Sequence, residues 1–97
     1  MDIRYLRSFV AVAQCLSFTK AAERIYIGQS ALSKQIADLE AELGVELFMR
    51  HHRSLELTPA GKTLLKEGIN LIDKVAEMIE KTRQAQLGIR GKACRRT

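Results

Sequence analysis

Four polar side chains lie close together in residues 28–40, GQSALSKQIADLE. Gln29, Ser30, Ser33 and Lys34 supply amide, hydroxyl and ammonium groups that can hydrogen-bond to a polar ligand. Apolar residues recur in this segment and just beyond it at spacings of four, three and four, which predicts a helix with one buried face; they are Leu32, Ile36, Leu39 and Leu43. The polar set occupies another face, with few of the Glu–Lys pairs typical of solvated helices. Two interpretations of this polar face stay open: it is a surface that recognises a ligand, or it is an ordinary solvated face.

The chain shows no group of residues expected of an enzyme or a metal site. Catalysis needs a nucleophile, base or metal ligands that converge, and no such pattern stands out. His51 and His52 are adjacent in a basic turn without nearby Cys or carboxylate partners, which favours exposed groups over metal ligands. Cys15 and Cys94 lie far apart in different surroundings, which indicates a reducing, cytoplasmic setting. We predict no enzymatic activity, no cofactor and no metal.

The positive charge is concentrated in the C-terminal part of the chain. The formal net charge is +5, yet residues 1–58 hold seven Lys/Arg and seven Asp/Glu, so the excess comes from residues 59–97. Within residues 1–58 the basic side chains include Lys20, Arg24, Lys34, Arg50 and Arg53, whereas acidic ones follow the polar helix at Asp38, Glu40, Glu42 and Glu46. This polarity is suited to orienting the domain on a phosphate backbone. No apolar run approaches the roughly 18 residues of a membrane span, so we predict no membrane insertion.

The first half of the chain predicts three helices, two of them joined by a tight turn. Asp2 is suited to cap the first helix, and Ser17 or Thr19 to cap a short second helix that ends near Ile25. The next residues, IYIG, leave room only for a turn, with Gly28 as N-cap of the third helix. This arrangement is typical of a helix-turn-helix.

A β-hairpin and a long helix are predicted next. Residues 45–58, VELFMRHHRSLELT, form two extended pieces around a basic turn, which indicates a wing. Thr58 and Pro59 then start a fourth helix that we expect to reach about Leu87. We therefore predict a mainly α fold: a winged helix-turn-helix of three helices plus a two-stranded β wing (1–58), a long linker helix for dimerisation (59–87) and a basic, disordered tail (88–97).

The long helix carries two apolar stripes. One consists of Leu64, Leu71, Val75 and Met78, and the other of Leu65, Ile69, Ile72, Ala76 and Ile79. One small domain does not need both stripes, so we predict that one packs on the domain and that the second set forms a two-fold homodimer. Burial of both stripes in the core of a monomer is the alternative.

Together these segments resemble the N-terminal DNA-binding domain of LysR-type transcriptional regulators. The resemblance covers residues 2 to about 87 and depends on four segments in order without gaps: LRSFVAVA, SFTKAAERI, QSALSKQIADLEAELGVELFMR and LTPAGKTLL. It implies a winged helix-turn-helix whose linker helix pairs antiparallel with a second copy. It also implies recognition helices in successive major grooves of double-stranded DNA, and dimers of dimers on interrupted inverted repeats.

The resemblance also implies which residues contact DNA. Family contacts come from the start of the third helix and from the wing, and the matching positions here are Gln29, Ser30, Ser33, Lys34 and Arg53. Gln suits the N6/N7 edge of adenine, Lys suits guanine O6/N7, and serine hydroxyls suit bases or phosphates. We add Thr19, Lys20, Arg50 and His52 to the predicted DNA-binding residues.

This chain departs from the family pattern at several positions. Gly28-Gln29-Ser30 stands where Ser-Gln-Pro is usual, Lys34 stands where Arg is usual, and His51, His52 and Ser54 stand in a wing that often has Gly. Lys34 is a point charge rather than a fork, so bidentate reading of guanine is expected to be weaker. The family's effector domain is not encoded in these 97 residues, which are either a fragment or a naturally short protein.

We therefore predict sequence-specific binding of double-stranded DNA by a bacterial, cytoplasmic regulator. Two rivals remain open at this point. One is a coiled-coil module that binds another protein, and the second is non-specific DNA binding through the basic tail. The operator, the regulated genes, the effector and the choice between activation and repression are not encoded in any pattern found.

Overall fold

The computed structural model describes the backbone of residues 1–91 and the side chains of residues 1–88. The order of elements is α1 (Ile3–Cys15), α2 (Phe18–Ile25), α3 (Gln29–Leu43), β1 (Phe48–Arg50), β2 (Leu55–Leu57) and α4 (Pro59–Gly91). The predicted fold class, three helices and a two-stranded wing followed by a long helix, is confirmed. Among the described helices, none has both the length and the apolar character needed to cross a membrane.

Local capping sets the starts of the first two helices. The Asp2 carboxylate accepts a hydrogen bond from the Arg4 backbone N–H at 2.8 Å, and the Ser17 hydroxyl accepts one from the Lys20 N–H at 3.1 Å. Ser17, rather than Thr19, is therefore the N-cap of α2. Asp and Ser are favoured at this position because their oxygens satisfy N–H groups that have no partner within the helix.

The core lies where α1, α2 and α3 meet the wing. Its largest fully buried side chains are Leu6, Phe9, Val12, Leu32, Ile36, Leu39 and Leu47. The rings of Phe9 and Phe48 have centroids 5.4 Å apart, and those of Phe18 and Phe48 are 6.0 Å apart. These aromatic contacts attach β1 to both α1 and α2, so the wing is part of the core rather than a free hairpin.

The wing is a short antiparallel hairpin. Phe48 pairs with Leu57, Met49 with Glu56 and Arg50 with Leu55. The His51 N–H donates to the Ser54 carbonyl at 2.9 Å and closes the turn.

Thr58 joins the wing to α4 by three hydrogen bonds. Its hydroxyl donates to the Glu46 carbonyl at 2.6 Å and accepts from the Gly61 N–H at 3.0 Å, and its own N–H donates to the Leu47 carbonyl at 3.0 Å. A β-carbon at Gly61 would overlap the Leu47 carbonyl oxygen. Only glycine therefore allows the first turn of α4 to approach the wing this closely.

The first half of α4 packs on α1. Gly68 is buried, and a β-carbon there would lie 2.9 Å from Leu6 Cδ1. Leu64, Leu65 and Ile72 surround this glycine on the same face and pack against the core. The helix continues to Gly91 rather than ending near Leu87, because glycine weakens a helix but, unlike proline, keeps its backbone hydrogen bonds. Residues 92–97 of the predicted tail lie outside the described residues.

Candidate nucleic-acid interface

The predicted recognition residues form one polar surface at the start of α3. Gly28 is the N-cap, with extended backbone and no side-chain cap. Gln29, Ser30 and Lys34 are exposed and Ser33 is half-buried. At about 100° per residue these four positions span roughly 140° of the helix, on a face that borders the face of buried Leu32, Ile36 and Leu39. The surface therefore offers amide, hydroxyl and ammonium groups to a ligand.

Thr19 lies beside this surface. Its hydroxyl donates to Gln29 Oε1 at 3.1 Å, which joins the first turn of α2 to the first residue of α3. Lys20 follows on the same turn and is exposed. The helix-turn-helix packing thus places Thr19 against the start of α3, with exposed Lys20 beside it in the chain.

Lys34 has a carboxylate partner on its own helix. Its Nζ lies 3.3 Å from Asp38 Oδ2, one turn further along, and 76% of the Lys34 side chain remains exposed. An exposed pair of this kind is weak. The ammonium group therefore stays available to a competing anion.

The wing contributes a second group of cations. The Arg50 guanidinium lies over the Phe18 ring, 5.0 Å from its centroid, which holds it beside the start of α2. His52 and Arg53 are exposed at the turn, and neither forms an ion pair within residues 1–88. His51 Nε2 lies 3.0 Å from Glu56 Oε2. The expectation that both histidines lack a carboxylate neighbour is therefore wrong for His51, because antiparallel pairing brings β2 alongside the turn.

Several charged residues have internal partners instead. Arg24 donates to Gln14 Oε1 at 3.2 Å and contacts Cys15 Sγ at 3.7 Å, so it faces α1. Glu40 accepts from the Leu47 N–H at 2.7 Å, and Glu42 pairs with the N-terminal ammonium at 2.9 Å. The basic surface is thus narrower than the sequence indicated.

Across the part of the chain that is described, no three His, Cys, Asp or Glu residues are grouped as metal ligands would be.

Sequence reasoning did not identify the part played by Phe18. Its type and spacing indicated a buried apolar residue, and it does pack against the core. The pairing of its ring with Arg50 brings together residues far apart in the chain, and no local signal announces it. The Thr19–Gln29 hydrogen bond was missed for the same reason.

The predicted dimerisation residues do not share one environment: some pack on the core of their own chain and others are exposed. Leu65 and Ile72 pack on the core of their own chain, Ile69 is half-buried, and Ala76 and Ile79 are exposed. The reason is Gly68, which brings α1 so close that residues on both sides of it become covered. The apolar side chains left over form a stripe at spacings of four, three and one, which we call the outer stripe: Leu71, Val75, Met78 and Ile79.

The sequence of this interface matches a known family. Residues 3–62, which include α1, α2, α3 and the wing, match the profile described as bacterial regulatory helix-turn-helix protein, lysR family. The chain belongs to the lysR family. The Hca operon transcriptional activator HcaR of Escherichia coli (strain K12) is 39% identical over 95 residues, which cover 91% of this chain and 32% of HcaR.

A second lysR-family relative has solved structures. The HTH-type transcriptional regulator BenM of Acinetobacter baylyi is 43% identical over 84 residues, or 87% of this chain and 28% of BenM. The chain thus spans about three-tenths of the length of these two curated relatives.

Solved lysR-family domains have the same fold. The complex of the BenM DNA-binding domain with benA site 1 DNA matches with a TM-score of 0.86 and 42% identity, over 89% of this chain and 97% of that one. The CbnR DNA-binding domain in its DNA complex matches with a TM-score of 0.85 and 35% identity, over 89% and 99%. The chain therefore has the winged-helix fold of this family's DNA-binding domains.

Proposed function

We propose that this lysR-family chain binds double-stranded DNA sequence-specifically as a homodimer and serves as the DNA-binding part of a transcriptional regulator. The observation that carries the proposal is the exposed polar start of α3 beside a basic wing. This surface occurs in a chain 42% identical to a domain solved in complex with DNA. In the proposed mode, α3 enters the major groove and the wing lies along the backbone and the minor groove.

The site chemistry divides into base reading and backbone binding. Gln29 and Lys34 carry the groups that pair with purine edges in the major groove, and Ser30 and Ser33 suit bases or phosphates. Phosphate binding is assigned to the basic side chains around them: Lys20, Arg50, His52 and Arg53. These contacts fix register without reading sequence. The action is binding alone, so we propose no catalytic step, and a regulator acting on bacterial DNA works in the cytoplasm.

Dimer formation is assigned to α4. Met78 and Leu71 are 55% and 48% exposed, and Ile79 is 43% exposed. An apolar stripe of this kind on a helix of about 50 Å is suited to pair with a second copy of itself. Two-fold symmetry then matches an interrupted inverted repeat. Longer regulators that contain this domain are proposed to act as dimers of dimers.

The decisive experiment is selection from randomised duplexes, followed by affinity measurements on the winning site at several salt concentrations. We expect enrichment of an interrupted inverted repeat, with half-sites about one helical turn apart and affinity that falls steeply with salt. A chain that ends at Gly91 is expected to select the same site. If no sequence is enriched and removal of residues 92–97 abolishes binding, the basic tail is the ligand-binding segment and the proposal fails.

Matched lysine variants test the position of the interface. Lys34 and Lys74 are both exposed and both pair with a carboxylate on their own helix, at 3.3 Å and 2.8 Å respectively. Lys34→Ala is expected to lower affinity for the selected site at least about fivefold, whereas Lys74→Ala is expected to leave it nearly unchanged. Equal losses would place the interface elsewhere.

A further inference from the structure

Thr19 has a hydroxyl that its own helix does not need. It lies on the first turn of α2, where a threonine could act as a cap, but Ser17 already accepts the hydrogen bond from the Lys20 N–H. The Thr19 hydroxyl instead donates to Gln29 Oε1 at 3.1 Å. The partner residue is ten positions away and is the first residue of α3. The bond is therefore a contact between two helices, made at the proposed base-reading surface.

The orientation of a glutamine amide decides what it can read. One end is a carbonyl oxygen that accepts, and the other is an NH₂ group that donates. Rotation about the last side-chain torsion is soft and exchanges the two ends. An exposed Gln without a fixed partner presents both arrangements to a base. The hydrogen bond from the Thr19 hydroxyl to Oε1 restrains this rotation and holds the amide in the arrangement that the structure shows.

We propose that Thr19 is a positioning residue that sets the Gln29 amide for one base pair. This inference rests on the proposed function, since it describes how the same site reads sequence. A carbonyl oxygen has two lone pairs, so Oε1 accepts from Thr19 and keeps one for a base. The Nε2 group keeps both donors. Acceptor and donor side by side match adenine, whose N6 donates and whose N7 accepts. The base pair read by Gln29 is therefore A·T.

A direct contact between Thr19 and a phosphate is the rival role, and it predicts a different pattern. A phosphate contact by the Thr19 hydroxyl contributes equally to every sequence. A positioning residue instead affects discrimination at one base pair and depends on Gln29 being present. Base preference and dependence on Gln29 therefore separate the two roles.

The variants are Thr19→Val, Thr19→Ser, Gln29→Ala and the double variant Thr19→Val/Gln29→Ala. Valine keeps the branched shape of threonine and removes only the hydroxyl, whereas serine keeps the hydroxyl. Affinity is measured for the selected site and for duplexes carrying each other base pair at every position of one half-site. Gln29→Ala identifies the base pair that Gln29 reads. Thermal unfolding verifies that each variant is folded.

We expect Thr19→Val to lose about fivefold or more of the preference for A·T at that one position. Thr19→Ser should keep the preference, and Thr19→Val should add nothing in the Gln29→Ala background. An equal loss for all duplexes would overturn the inference, as would unchanged discrimination or a preferred pair other than A·T. If the wild-type chain prefers no base pair anywhere, the proposed function itself fails.

Discussion

The Arg50 guanidinium lies 5.0 Å from the centroid of the Phe18 ring, and this contact joins β1 of the wing to the first residue of α2. The same ring packs at 6.0 Å against Phe48, which is also in β1. One aromatic side chain thus contacts both the core and a wing cation. The wing and the helix-turn-helix are expected to bind DNA as one unit.

Removal of the Phe18 ring should act on DNA binding through Arg50. Phe18→Leu keeps apolar packing but removes the ring face, a contact worth about 0.5–1 kcal/mol at an exposed site. We expect weaker binding of the selected site because Arg50 is no longer held in place. Phe18→Tyr is the matched control, since it keeps the ring and should bind normally. In a double-variant cycle with Arg50→Ala the two losses should not add, and additive losses would show that Arg50 acts independently of Phe18.

Gly61 is expected to be the most sensitive glycine in the described chain. Gly61→Ala places a methyl group against the Leu47 carbonyl and 2.9 Å from Leu57 Cδ2. Such overpacking costs about 1–3 kcal/mol of unfolding free energy, measured by chemical denaturation. Gly88→Ala is the control, because Gly88 is an exposed position of the same helix where nothing lies within 4 Å of the added carbon and where alanine is favoured over glycine. Equal stability of the two variants would contradict the close contact between α4 and the wing.

The Asp2 cap predicts a loss of stability in acid. Hydrogen bonds from the Arg4 side chain and backbone N–H hold the pKa of the Asp2 carboxyl below its ordinary value of 3.8. The ionised carboxylate therefore stabilises the folded chain above pH 3.8, and this contribution is lost as the pH falls through the lowered pKa. Asp2→Ala should lower the Tm at pH 6, and the difference from wild type should shrink as the pH falls below 3.8. A difference that is independent of pH would exclude this linkage.

The outer stripe of α4 predicts which substitution separates a dimer. Met78→Lys adds a charge to exposed apolar residues and should weaken self-association at least about tenfold in sedimentation equilibrium. Gln84→Lys adds the same charge on the far side of the helix and should leave association unchanged. Leu65→Ala should instead destabilise the monomer, because Leu65 packs on the core. A dimer that withstands Met78→Lys would place the interface on another face.

Features controlled by neighbouring residues could be predicted from the sequence. The Asp2 cap, the start of α4 at Pro59 and the order of the elements all depend on local hydrogen bonding and on the spacing of apolar side chains. The exposed positions at the start of α3 were predicted for the same reason. Local hydrogen bonding and apolar spacing were therefore sufficient to predict most of the candidate DNA-binding surface.

Features that depend on close approach between helices could not be predicted. The apolar stripes of α4 were assigned by counting side chains, whereas Gly68 contributes by having none. The partners of Arg24 and Arg50 lie on other elements, so their charges looked equivalent in the sequence. Only the packed structure shows that Arg24 faces α1 and that Arg50 faces Phe18 of α2.

The three hydrogen bonds of Thr58 have a mechanical consequence. They attach the end of the wing directly to the first turn of α4, without a flexible hinge. With 33 residues, α4 is a rigid lever of about 50 Å. A tilt of about 10° at its base moves its far end by about 9 Å. A displacement of the distal end of α4 therefore reorients the whole winged helix-turn-helix. A small change of angle at the wing corresponds to a large displacement at that distal end.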